Sequence, residues 1–185
     1  MASNTGRSKI LWIAQTAIFI ALLVALQFAT RSMGQFVTGS VVNLILIVAS
    51  LTAGLFSGLA VALLSPFFAF MLGIGPAFLQ VVPLVALGNM ALVFFVWLIG
   101  RKGEEVEGAM AYIWRILGVV AGAVVKFAIL YFGIVKLLLP LLDLKPPQVT
   151  ALSAAFSWPQ LVTAAIGGAI AVLVVPPVLK AIRKR

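Results

Sequence analysis

The hydrophobic and polar positions of this chain separate into long apolar blocks divided by short breaks rich in Gly, Pro and charge. From Ser32 to Gly100 there is no Asp, Glu, Lys, Arg or His. That stretch alone is long enough for three membrane-spanning helices of about 20 residues each. Over the whole chain the pattern predicts an all-α bundle of six transmembrane helices in one integral membrane domain. The spans fall at 10–29, 37–53, 57–72, 77–99, 111–139 and 151–179. Gly34 and Gly39, Gly54 and Gly58, and the run Gly73-Ile74-Gly75-Pro76 supply the punctuation. The first span follows Arg7 and Lys9 but is longer than a signal-peptide core, and no small-x-small cleavage site follows it. It reads as a retained helix.

Composition agrees. Of 185 residues, 64% are hydrophobic and 9% charged, against roughly 45–50% and 25% in soluble domains. In water such a surface would leave large apolar patches, so lipid is the natural solvent. The net charge of +9 does not point to nucleic acid, because the basic residues sit at the ends of apolar segments and form no stripe with stacking aromatics. The absence of Cys and His excludes disulfides, thiol chemistry and the common zinc sites, and no cofactor or metal is expected.

The basic residues also orient the chain. With a cytoplasmic N-terminus, Arg7, Lys9, Arg101, Lys102, Arg115, Lys180, Arg183, Lys184 and Arg185 fall inside, and only Arg31, Lys136 and Lys145 outside. Trp12, Trp97 and Trp114 then lie at the inner interface as an aromatic belt. Both termini are expected in the cytoplasm, with outer loops at 30–36, 73–76 and 140–150. Pro146-Pro147 is expected to stiffen the last of these. Glu104, Glu105 and Glu107 read as a solvated inner connector.

Two negatives bear on energy. No Gly-x-x-x-x-Gly-Lys-Ser/Thr phosphate loop is present, and no acid lies in any span, which argues against ATP hydrolysis by that route and against a carboxylate proton relay. Small-residue ladders are present instead. Ala17, Ala21, Ala25 and Ala29 form one smooth stripe on the first helix, suited either to packing in the bundle or to docking another membrane subunit. Gly54/Gly58/Ala62 and Gly118/Gly122 read as packing within the bundle.

The Ala17-x-x-x-Ala21-x-x-x-Ala25 stripe, the size and the inward termini resemble the substrate-binding S components of energy-coupling factor (ECF) transporters. So do the segments from Gly34-Gln35-Phe36-Val37-Thr38-Gly39-Ser40 through Ser65-Pro66-Phe67-Phe68 to Gly88-Asn89. The resemblance implies a subunit of the prokaryotic cytoplasmic membrane that binds a vitamin or related micronutrient from outside. It also implies association with a coupling subunit and two ATPases, and toppling in the membrane to release cargo. On this chain the docking role falls to Ala17, Ala21 and Ala25. The acidic, aromatic signature of the riboflavin-binding branch is missing from the second helix, which argues against riboflavin.

Candidate ligand groups are few. Lys126 lies about 14 residues into the fifth span, roughly 20 Å deep at 1.5 Å per residue. A cation there costs about 2.5–3.5 kcal/mol and needs a partner: backbone carbonyls, polar side chains or an anionic group on a ligand. Asn89, about 12 residues into the fourth span from outside, shares its level and suits a ligand or a helix–helix hydrogen bond. Tyr131 could flank a ligand. Gln80 and Gln160 lie near outer helix ends, and Trp158 offers a stacking face or belongs to the outer aromatic belt. Arg31 and Gln35 lie in the first outer loop and Asn43 near the start of the second helix. The family's substrate-capping outer loops make Arg31 a candidate for an anionic group, with a lipid headgroup as its other partner. Ser65 is expected to satisfy backbone groups freed by Pro66 rather than to touch a ligand. A stand-alone carrier and a structural or assembly protein remain as other readings. A membrane enzyme has too few acid, base or metal-binding groups.

Overall fold

The computed structural model describes residues 2–183, with side chains from 9 to 182. The side chains of Arg7 and Arg183, and all of Lys184 and Arg185, lie outside the described residues. The chain forms α1 Ala2–Thr30, α2 Gln35–Thr52, α3 Leu55–Met71, α4 Val82–Phe95, α5 Ala109–Leu130, α6 Pro146–Ala155 and α7 Pro159–Arg183. No strand occurs among the described residues. Five segments are long and apolar enough to cross a membrane, and α3 is a shorter apolar helix of 17 residues.

Local chemistry explains where the helices begin and end. Gly34 and Gly54 precede α2 and α3 with φ of 83° and 88°, a region closed to most L-residues. Gly54 is therefore a turn residue and not the first rung of a helical ladder. The fourth span starts later than residue 77. Ile74 and Gly75 donate back to the Ala69 carbonyl at 2.9 and 3.1 Å, folding this loop over the end of α3. A single 3-10 turn, Leu79–Val81, then leads to Pro83 in the first turn of α4. Both α4 and α5 pass into wide π turns, Val96–Gly100 and Tyr131–Leu138.

The sixth expected span, 151–179, is two helices. Trp158 precedes Pro159, and a residue before proline is pushed out of the α region, so the chain breaks at 156–158 and restarts on Pro159. Pro146-Pro147 likewise opens α6 instead of stiffening a loop, and the Gln148 side chain accepts a hydrogen bond from the Lys145 N–H at 3.0 Å.

Helix α2 is the hub, packed against α1, α3, α4 and α7, while α4 lies between α3 and α5, and α5 meets α7. Small residues permit the approach. A Cβ on Gly167 of α7 would overlap the Ser40 carbonyl oxygen and lie 2.9 Å from the Leu44 nitrogen, both backbone atoms of α2. Gly118 and Gly122 of α5 face the Gly100 nitrogen and Leu92 oxygen, which a Cβ would meet at 2.9 and 2.8 Å. This pair packs inside the bundle, as does Gly58 against Ser50 and Val93. Two apolar clusters result. One joins Leu23, Leu46, Val61, Leu92, Val119 and Val175. The other gathers Val81, Leu130, Ile134, Leu139, Leu152 and Phe156 beneath α6.

Helix α1 is peripheral. Leu23 is buried, and the Thr16 hydroxyl donates to the Trp12 carbonyl at 2.8 Å and accepts from Ser57 Oγ at 3.0 Å, while Ala17, Ala21 and Ala25 are exposed.

Gly167→Ala should force α2 and α7 apart and lower stability by about 1–3 kcal/mol. Gly133→Ala, which meets only the flexible end of Leu84 at 3.2 Å, should cost less. Thermal unfolding of the two variants in one detergent checks the order.

Candidate functional site

At the end of the bundle away from both termini, the helices enclose a cavity of about 330 Å³. Its floor is polar and buried. Lys126 is 4% exposed, Asn43 1%, Asn89 2% and Ser65 2%. Its mouth carries Arg31, Gly34 and Gln35, which are exposed. Val42, Pro66, Ile74, Val85, Leu130 and Leu152 supply apolar walls. The sequence holds only four acids, Glu104, Glu105, Glu107 and Asp143, and none lines the cavity. The site therefore presents positive charge and hydrogen-bonding groups on an apolar frame.

A hydrogen-bonded chain fixes the floor. Lys126 Nζ donates to Asn43 Oδ1 at 2.7 Å. Asn43 Nδ2 donates to Thr163 Oγ1 at 3.2 Å, and Thr163 donates to the Gln160 carbonyl at 3.1 Å. The direction follows from the last link. A carbonyl only accepts, so the Thr163 hydroxyl spends its hydrogen there and accepts from the Asn43 amide nitrogen. Asn43 must then turn its oxygen to Lys126. An ammonium has three donors, so this bond leaves Lys126 capacity toward the cavity. The lysine stem crosses α4 at Gly88, where a Cβ would lie 3.5 Å from Lys126 Cγ, and Asn89 is the next residue.

Two groups on this floor are unsatisfied. Ser65 Oγ and Asn89 Oδ1 are buried without a hydrogen-bond partner among the described residues. Buried polar atoms are normally paired, so these two are free to meet a ligand, ion or water in the cavity. Ser65 thus does not cap the backbone freed by Pro66. Its hydroxyl is left for the cavity.

Of the candidate ligand groups named from sequence, Lys126, Asn89, Arg31, Gln160, Gln35 and Asn43 meet here. Arg31 rests its guanidinium over the Phe28 ring at 4.0 Å. Gln160 and Gln35 both donate to the Ala155 carbonyl, joining α7 and α2 to the end of α6. Tyr131 and Trp158 are not brought to the cavity. Five positions beyond Lys126 is about 140° around a helix, so Leu130 reaches the wall while Tyr131 stacks on Phe127 at 5.5 Å. Trp158, in the break before α7, is 61% exposed and lies against Phe36 at 5.7 Å. Gln80 is exposed and does not line the cavity. Asn43 as the acceptor for Lys126 was not evident from sequence. Its signal was an isolated amide in the uncharged stretch, at the depth of Lys126. Among the described residues no group of three or more Asp, Glu, His or Cys is placed to hold a metal.

Asn43→Leu removes the acceptor of a buried ammonium and should lower stability by about 1–3 kcal/mol. The double variant Asn43→Leu/Lys126→Met should recover part of that loss, because it removes both partners. A double-mutant cycle by thermal unfolding measures the coupling.

The family model described as "ECF transporter, substrate-specific component" matches residues 13–179. No curated protein and no solved structure matches the chain. S components are substrate-binding transport subunits rather than enzymes, and they associate with the coupling and ATPase subunits of an ECF module. With its apolar helices and a match over nearly its whole length, this multi-pass membrane chain belongs to the substrate-specific components of ECF transporters.

Proposed function

We propose that this subunit captures a small micronutrient carrying an anionic group from outside the cell, for import driven by the ATPases of its module. The observation that carries this reading is the buried floor, where Lys126 faces a 330 Å³ cavity that no carboxylate lines. An intramembrane cation is costly, and a neutral amide acceptor offsets only part of that cost. A ligand anion supplies the rest. The excess of basic residues at the opposite end of the bundle supports cytoplasmic termini and an outward cavity in a prokaryotic cytoplasmic membrane. Arg31 at the mouth adds positive charge along the entry route.

Docking is assigned to α1. Ala17, Ala21 and Ala25 are exposed on the helix least covered by the rest of the bundle, and no side chain beyond a methyl group obstructs that stripe. Only the outer end of α1, at Gln27 and the following Arg31, lines the cavity, so the coupling subunit can approach the stripe along the rest of the helix.

Mass spectrometry of the purified protein identifies the small molecule it carries. Lys126→Ala should then weaken binding of that molecule by about 10–100-fold, as expected for loss of a charged hydrogen bond. Unchanged affinity, measured by titration calorimetry, would remove Lys126 from the site. Ala21→Trp should leave this affinity intact while abolishing co-purification with the coupling subunit and ATP-dependent uptake. Retained assembly would place the docking surface elsewhere.

A further inference from the structure

The floor of the cavity specifies more than an anion. Asn89 presents an unpartnered acceptor, Oδ1, and its amide carries N–H donors beside it. Ser65, from α3, adds a second unpartnered atom that can donate or accept. Lys126 lines the same cavity, and its remaining N–H groups only donate. The floor therefore offers two chemically distinct kinds of group. One receives negative charge. The other matches a group that offers a donor and an acceptor along one edge, as an Asn side chain does when it pairs bidentately with such an edge on a base. The walls contributed by Pro66, Val85 and Leu130 are apolar and accept a flat or compact body.

Resting on the reading of this cavity as the substrate site, we propose that the ligand class is a compact carboxylate that also bears an amide-like N–H/C=O edge. That edge is a lactam, a ureido group or a ring amide. The carboxylate is held by Lys126, and the edge by Asn89 and Ser65. A plain aliphatic acid leaves Asn89 and Ser65 unsatisfied. A neutral amide leaves the Lys126 charge without a counter-ion. Each therefore binds more weakly than a molecule carrying both groups.

Affinity-selection mass spectrometry tests this on the full chain in detergent, with the small-molecule fraction of yeast extract as the probe. Compounds retained by the wild type are expected to be carboxylates containing an N–H/C=O unit. Their methyl esters, offered to the same wild-type protein, should bind at least about tenfold more weakly. This comparison needs no variant and so does not depend on any variant folding. Asn89→Leu should lower retention of the amide-bearing acids by a similar factor, with its melting temperature confirming a folded protein. Retained compounds that are neutral, cationic or free of any amide-like edge would overturn the assignment, as would methyl esters that bind as well as their acids. If the wild type retains nothing from the extract, the reading of the cavity as a substrate site fails along with it.

Discussion

The placement of one ammonium inside an apolar bundle constrains the rest of this structure. Lys126 is buried deep within an apolar span, and no acid of the chain lines the cavity to pair with it. Its protein acceptor is an amide oxygen on α2, oriented by a hydroxyl on α7. That contact ties α5, α2 and α7 at one level, and it requires α2 and α7 to approach closely. Gly39 and Gly167 make that approach possible, since a Cβ on Gly39 would lie 2.9 Å from Thr163 Cγ2. Backbone packing and polar chemistry thus depend on each other: bulkier residues at these positions would separate Asn43 from Thr163.

The cavity occupies the level where apolar packing is interrupted. Along α5, Val119 belongs to the cluster nearer the termini and Leu130 to the one beneath α6, with Lys126 between them. Neither cluster closes over the polar floor. Polar side chains reach that level from α2, α3, α4 and α5, so the site belongs to the bundle and to no single helix. Movement of any of these helices changes its shape.

Much of the architecture was legible in sequence because lipid imposes a simple rule. Long apolar stretches must become helices, and Gly and Pro mark their limits. Lys126 and Asn89 stood out as the polar exceptions at matching depth. Contacts across helices were less legible, since they depend on rotation about each helix axis. Tyr131 was close in sequence to Lys126 but lies on another face, and Asn43 was distant in sequence but meets it. The division of the last span followed from the pair Trp158-Pro159, whose effect a hydropathy pattern does not register because both residues are compatible with an apolar run. Ser65 was read through its neighbour Pro66, whereas its hydroxyl remains unbonded beside the cavity.

The Ala155 carbonyl is a junction of three helices. It accepts from Gln35 of α2 and Gln160 of α7, so the C-terminal end of α6 is fastened to two helices through a single atom. Displacing that atom releases both amides at once, and restoring it recovers both. The end of α6 nearest the cavity mouth is therefore tied to both helices at one point.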